Sequence, residues 1–301
     1  MVVLRSRTCA AAVALALLLG ADIAGQAKLF HAETRLVVLH VLVTNGRGEV
    51  VTDLDRGAFA IYENGHRQSI AVFRRGDVPI SLGLIIDNSG SMRTIRPRVE
   101  AAALAFVRAS NPQDEVFVES FADTPHLDVP FTSDTRALEY GIARVDAIGG
   151  TAMRDAILMA EQYLHEHASR DRRGLLVITD GNDNASIVSK AQLRKVAERS
   201  EAIIDAVKLA AGAGTPDDER DDGDLDRLTS ATGGAVHHVR SLSDVDNAVL
   251  EIAHQMRNEY TIAYTPANAA LDGSYRSVRV KITRPGGLNA RTRPGYWASS
   301  P

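Results

Sequence analysis

The sequence predicts a doubly wound, mostly parallel α/β sheet inserted into a small β-sandwich-like domain that both ends of the chain build together. Three observations carry this. Short, nearly all-apolar runs recur, such as residues 80–86 (ISLGLII) and 174–179 (GLLVIT), as expected of strands covered on both faces. Segments of helical periodicity lie between them, and this alternation over about 180 residues is the βαβ pattern of a parallel sheet. The flanks instead show β-branched runs and Asn-Gly turns without helical period.

Taken in order, the first residues form an export signal. Arg5 and Arg7 precede an apolar run over 9–20, and Gly25-Gln26-Ala27 places small residues at the −3 and −1 positions of a cleavage site. The run is shorter than the ~20 residues that span a bilayer, and Asp22 blocks its extension, which argues against a retained membrane anchor. Cys9 lacks a lipobox before it. Cleavage after Ala27 would remove Arg5, Arg7, Asp22 and the only cysteine, leaving a thiol-free exported chain, secreted or periplasmic. No later stretch is long enough to cross a membrane as a helix.

Residues 28–78 are the first part of the β domain: TRLVVLHVLV at 34–43 is followed by Asn45-Gly46, and FAIY at 59–62 by Glu63-Asn64-Gly65 and SIAVF. An Asn-Gly pair between alternating runs is a strong hairpin signal. Residues 79–258 are the α/β domain. Strands are expected at 80–86, 115–121, 174–179, 202–209 and 235–239. Helices are expected at 98–109, 135–145, 152–165, 190–199 and 244–258. The acidic run 216–226 (PDDERDDGDLD) reads as a solvated loop. Residues 259–301 complete the β domain, with strands at 260–264, 278–282 and 288–293.

Composition narrows the function. The net charge of −4 gives no basic excess for nucleic acid. One cysteine excludes a disulfide framework and any zinc site built from several thiolates. His165 and His167, two apart on a helix, and the adjacent His237 and His238 point to different faces, so they read as surface or interface residues rather than ligand pairs. The acidic segments at 217–226 and 180–191 also fail as calcium loops, lacking the required glycine or the closing glutamate.

Chemistry concentrates at the ends of the buried strands. Residues 80–86 lead into Asp87-Asn88-Ser89-Gly90-Ser91-Met92, a D-x-S-x-S triplet before a helix. Ligand sites in open α/β sheets lie outside these carboxyl ends. Gly149-Gly150-Thr151-Ala152 puts a hydroxyl beside two glycines, and residues 174–179 end in Asp180-Gly181-Asn182. One loop alone could merely cap a helix. Three loops supplying two carboxylates and three hydroxyls are expected to face one crevice and to suit a hard divalent cation, Mg²⁺, Ca²⁺ or Mn²⁺.

DNSGSM, GGTAMRDAI and LLVITDGNDN resemble the three segments of the metal-ion-dependent adhesion site of von Willebrand factor type A domains, over roughly residues 79–258. The flanks VVLHVLV, FAIYENG, YTIAYTP and RPGYW resemble those of a bacterial subgroup of exported proteins carrying this domain. The resemblance implies that Ser89, Ser91 and Thr151 contact the metal through hydroxyls, with Asp87 and Asp180 acting partly through water. It also implies a protein partner that offers an acidic side chain to the metal, for adhesion or assembly, and no catalysis.

Two other functions are open to these residues. Asp87 could serve a metal-dependent hydrolase or phosphatase as nucleophile. However, Ser89 stands where such enzymes carry a second acid, and neither a G-x-S-x-G elbow nor a phosphate loop is present. The site could also hold a metal purely for structure, although two serines in an open crevice favour contact with a partner.

Overall fold

The computed structural model describes residues 36–143, 147–181, 183–209 and 216–299, and for 216–222 and Leu242 the backbone alone. The expected signal at 1–27 lies outside the described residues, as does Asn182.

In chain order the first four strands are β1 (Val37–Thr44), β2 (Phe59–Glu63), β3 (His66–Gln68) and β4 (Ile70–Arg74). The α/β segment comes next as β5 (Ile80–Asp87), α1 (Arg96–Ala109), β6 (Glu115–Phe121), β7 (Pro125–Thr132), α2 (Thr135–Ala143), α3 (Met153–His167), β8 (Arg172–Thr179), α4 (Lys190–Ala197), β9 (Ile203–Leu209), α5 (Pro216–Thr232), β10 (Val236–Val239) and α6 (Val245–Arg257). The last strands are β11 (Tyr260–Tyr264), β12 (Tyr275–Ile282), β13 (Asn289–Arg291) and β14 (Gly295–Trp297).

The α/β segment forms one six-stranded sheet in the order β10-β9-β8-β5-β6-β7. All its pairings are parallel except β6 with β7. Every residue of β5 is buried, because helices cover both faces. On one face Leu82, Leu84 and Ile86 pack with Val99, Phe106, Ile142, Val249 and Ile252 of α1, α2 and α6. On the other, Ile85, Phe117 and Val177 meet Ile157, Leu193 and Leu228 of α3, α4 and α5. Each such aliphatic side chain contributes ~1.5–3 kcal/mol on burial. Gly83 admits this packing, since a Cβ there would come within 2.6 Å of Leu175 Cδ2 and would overlap the Phe117 ring.

Two smaller sheets mix strands from before and after this segment: β13-β1-β11-β4 and β14-β12-β2-β3. Leu39 pairs with Ile262 and Ile61 with Val280, both antiparallel. Leu39, Val41, Phe59, Ile61, Tyr260, Ile262 and Val278 share one apolar cluster. A fully buried ion pair supports it: Arg276 lies 3.4 Å from Glu63, whose other oxygen accepts the hydroxyls of Tyr264 and Tyr296 at 2.7 and 2.8 Å. Arg172 at the start of β8 ties the α/β segment to these strands. Its guanidinium donates to the carbonyls of Met256 and Arg257, two of the orphan acceptors at the end of α6, and to that of Glu259 just before β11.

Two readings of the sequence need correction. The acidic run 216–226 is no loop, for it opens helix α5. Pro216 at the first helical position needs no N–H partner, and Leu225 and Leu228 dock on the core. Strand β7 is absent from the expected strands, because Pro125, Pro130, His126 and Asp128 break its apolar pattern. It is an antiparallel edge strand, where proline is tolerated.

Candidate metal centre

The five expected residues sit at the carboxyl edge of the six-stranded sheet. Asp87 is the last residue of β5 and is fully buried. One of its oxygens accepts the Ser89 backbone N–H at 2.8 Å and the other accepts the Thr179 hydroxyl at 2.7 Å. Its carboxylate is therefore fixed in orientation, with lone pairs remaining on both oxygens. Ser89 is buried and Ser91 exposed, and their hydroxyl oxygens lie 3.0 Å apart. The chain turns sharply here, in a short 3-10 turn over Gly90–Thr94, which brings both hydroxyls to one side.

Thr151 arrives on the loop before α3. Gly90 N–H donates to the Gly149 carbonyl at 3.0 Å and Ile148 N–H to the Asn88 carbonyl at 2.9 Å, joining this loop to the serine turn. Gly149 has φ +89°, and a Cβ there would collide with the Asp123 carboxylate, which accepts the Gly150 N–H at 2.7 Å. The third loop is joined through Asn184, whose side chain accepts the Thr151 N–H at 2.9 Å and whose own N–H donates to the Thr151 carbonyl at 3.0 Å. Asp180 directly succeeds β8 and is 4% exposed.

Two buried carboxyls set the electrostatics of the site. Burial pushes the Asp87 carboxyl up to about 6, the Ser89 and Thr179 hydrogen bonds oppose this, and the negative charge of Asp180 adds to the rise. Oδ1 of Asp180 is buried with no hydrogen-bond partner, as are both polar atoms of the Asn88 side chain. Two buried carboxylates close enough to repel one another, one with an orphaned oxygen, are costly unless a cation joins them. The donor set is all oxygen, so the residues present fit a hard dication.

Sequence reasoning missed the supporting residues. Thr179 anchors Asp87, and Asp155 in the first turn of α3 accepts the N–H groups of Ile187 and Val188 at 3.0 and 2.8 Å, which fastens the third loop to α3. Asp183 pairs with Arg154 at 3.1 Å and reinforces the same joint. The histidines are elsewhere: His165 and His167 are exposed on α3, while His237 is half-buried on β10, where burial lowers its pKa to about 4. Among the described residues, no group of three or more His, Cys, Asp or Glu side chains is placed to hold a metal, so a site here depends on the hydroxyls.

Residues 82–182 match the family model of the von Willebrand factor type A domain. Among solved structures, a von Willebrand factor type A protein from Catenulispora acidiphila is similar at 15% identity and a TM-score of 0.53, over 80% of this chain and 72% of that one. The vWF domain of the type V pili tip protein Mfa5 from Porphyromonas gingivalis is 12% identical, over 59% and 95% of the two chains, with a TM-score of 0.48. The BatB protein of Bacteroides thetaiotaomicron is 17% identical, over 58% and 98%, with a TM-score of 0.47. No curated protein matches the sequence. The fold shared with the first of these structures and the match over 82–182 agree: the chain contains a von Willebrand factor type A domain.

Proposed function

We propose that this is an exported protein that binds a protein partner through a divalent cation, Mg²⁺ foremost with Ca²⁺ or Mn²⁺ as alternatives, held by Asp87, Ser89, Ser91, Thr151 and Asp180. The observation that carries the proposal is the orphaned, buried Oδ1 of Asp180 beside a second buried carboxylate whose pKa its charge raises. A bound dication would supply a Lewis-acidic centre able to accept a carboxylate from outside the chain. The hydroxyls of Ser89, Ser91 and Thr151 carry no charge and so would leave such a centre electrophilic. Asp87 and Asp180 would balance its two charges, and Thr179 and the Ser89 N–H keep Asp87 from rotating.

Binding rather than turnover is the reading the geometry supports. Both oxygens of Asp87 already accept hydrogen bonds within the chain, which suits a positioning group better than a nucleophile. Export rests on the signal-like residues 1–27. Among the described residues, no helix is long and apolar enough to cross a membrane.

Calorimetric titration of metal-stripped protein with Mg²⁺ and Mn²⁺ tests the site. One binding event is expected for the wild type, and none for Asp87→Ala or Ser89→Ala. Absence of binding, or binding by both variants as in the wild type, would sink the proposal. A phosphate-ester turnover assay with Mg²⁺ tests the enzymatic alternative, and no turnover is expected.

A further inference from the structure

We propose that the outer face of the sheet β14-β12-β2-β3 binds an anionic polysaccharide, with Arg67, Arg279 and Lys281 meeting its acidic groups and Tyr275 one of its sugar rings. This face is separate from the candidate metal centre, which lies at the edge of the six-stranded sheet.

Strand alternation sorts these residues onto one side of the sheet. Along β12, Arg276 and Val278 are buried, whereas Tyr275, Ser277, Arg279 and Lys281 are exposed. Register carries the same face across the neighbouring strands: Arg279 pairs with Tyr62, Tyr62 with Arg67, and Tyr275 with Trp297. The Lys281 ammonium lies 5.3 Å from the centre of the Tyr62 ring, and the Tyr275 and Trp297 rings are 5.3 Å apart. Strand β12 is interior to its sheet, so the exposure of these side chains means that no described element covers the face.

The charge of this face is one-sided. Strand spacing of ~4.8 Å and a rise of ~3.4 Å per residue put the three cationic positions within about 12 Å of one another. The one acid on the four strands, Glu63, is buried on the opposite face against Arg276. At the margin, Glu198 accepts the Trp297 N–H at 3.1 Å, and Asp272 accepts the Ser274 N–H and hydroxyl at 3.0 and 2.6 Å. In a chain of net charge −4, three cations gathered without an acid among them complement an anion from outside.

The rest of the face selects among anions. Tyr62 is half-buried beside Lys281, and Trp297 is half-buried with its N–H committed to Glu198. Tyr275, 40% exposed, is therefore the one exposed ring on these strands. A single-stranded nucleic acid needs a series of rings on which successive bases stack. A membrane surface or a protein partner needs exposed aliphatic side chains among the cations, and these strands carry no large exposed one. A glycan needs what is present. The cations lie along a face that runs about 20 Å from Tyr275 to Lys281. The Tyr275 ring offers an apolar surface to the C–H side of a sugar, and the exposed Ser277 adds a hydroxyl.

Binding of polygalacturonate and of dextran sulfate to the full exported chain tests this, measured in EDTA so that the metal centre takes no part. At least one of the two polymers should bind, more weakly as NaCl is added, and neutral dextran should not. The Arg67→Gln, Arg279→Gln, Lys281→Gln variant should bind about tenfold or more weakly, and Tyr275→Ser about fivefold more weakly. A control with the same charge change elsewhere, Arg47→Gln, Arg136→Gln, Arg170→Gln, should bind as the wild type does, and all variants should keep its thermal melt. Binding of neither polymer, equal binding by the first variant and the wild type, or equal weakening in the control overturns the proposal. So does binding of a single-stranded oligonucleotide or of phosphatidylglycerol vesicles at least as tight as that of the polysaccharide.

Discussion

Replacing Glu119 with glutamine probes the electrostatics beneath the site. Glu119 lies on β6 between Ile85 of β5 and Leu127 of β7 in register, two pairs below the Asp87–Phe121 pair. It is fully buried and neither carboxyl oxygen has a hydrogen-bond partner. Burial first, and the charge of Asp128 second, push its pKa from 4.5 up to about 9. The folded protein therefore holds a proton at neutral pH that the unfolded chain has released. A raised carboxyl pKa contributes its stability fully below the unfolded value of 4.5 and loses it as pH climbs towards 9. Over the roughly three pH units from 4.5 to 7.5, at about 1.36 kcal/mol per unit, the loss is about 4 kcal/mol. Glutamine has nearly the same shape and does not titrate, so Glu119→Gln should unfold at similar urea concentrations to the wild type near pH 4.5. It should then become progressively more stable relative to it, by about 4 kcal/mol at pH 7.5. Urea unfolding of both proteins from about pH 4.5 to 8.5 measures this. The raised carboxyls of Glu161 and Glu259 contribute to both proteins and cancel in the difference. Parallel pH profiles would refute the reasoning.

Other consequences are open to equally direct measurement. Adding Mg²⁺ to roughly a hundredfold excess over its dissociation constant should stabilise the wild type by about 2.7 kcal/mol, read as a raised Tm that EDTA reverses and that Asp87→Ala lacks. Glu63→Ala strands the buried Arg276 guanidinium and two tyrosine hydroxyls, and should cost about 3–5 kcal/mol in urea unfolding. Gly83→Ala forces a methyl into the Phe117 and Leu175 side chains, and should cost about 1–3 kcal/mol by thermal melt, with partial recovery on adding Phe117→Leu. Deleting residues 259–301 removes the partners of β1 and β2. Limited proteolysis should then cleave 34–75 rapidly while 79–258 resists, and protection of 34–75 would show that it folds alone.

The parts of the fold readable from sequence are those where one physical demand dominates. A strand buried on both faces must be apolar throughout, so β5 and β8 announce themselves, and the loops after them carry the polar residues. Edge strand β7 escapes because a strand with one neighbour tolerates Pro125, Pro130 and polar residues, leaving no run to find. Helix α5 escapes because charge count suggests solvent, whereas a helix needs only a few apolar residues such as Leu225 and Leu228 to reach the core. At the site, the residue types and their strand-end placement are visible as motifs. What fastens them is not: Thr179 on Asp87, Asn184 on Thr151 and Asp155 on Ile187 and Val188 join positions 32 to 92 residues apart. Any of the many Asp, Asn and Thr side chains could make such a bond, and only the folded chain selects among them.

Whether Asp87, Ser89, Ser91, Thr151 and Asp180 hold one divalent cation decides the function proposed for this chain. Crystals grown with Mn²⁺, and diffraction data recorded at its absorption edge, address this directly. One anomalous peak is expected at the carboxyl edge of the six-stranded sheet, about 2.0–2.3 Å from the hydroxyl oxygens of Ser89, Ser91 and Thr151, with no peak there for Asp87→Ala. A strong peak elsewhere with none at this position, or a peak that survives Asp87→Ala unchanged, would contradict it.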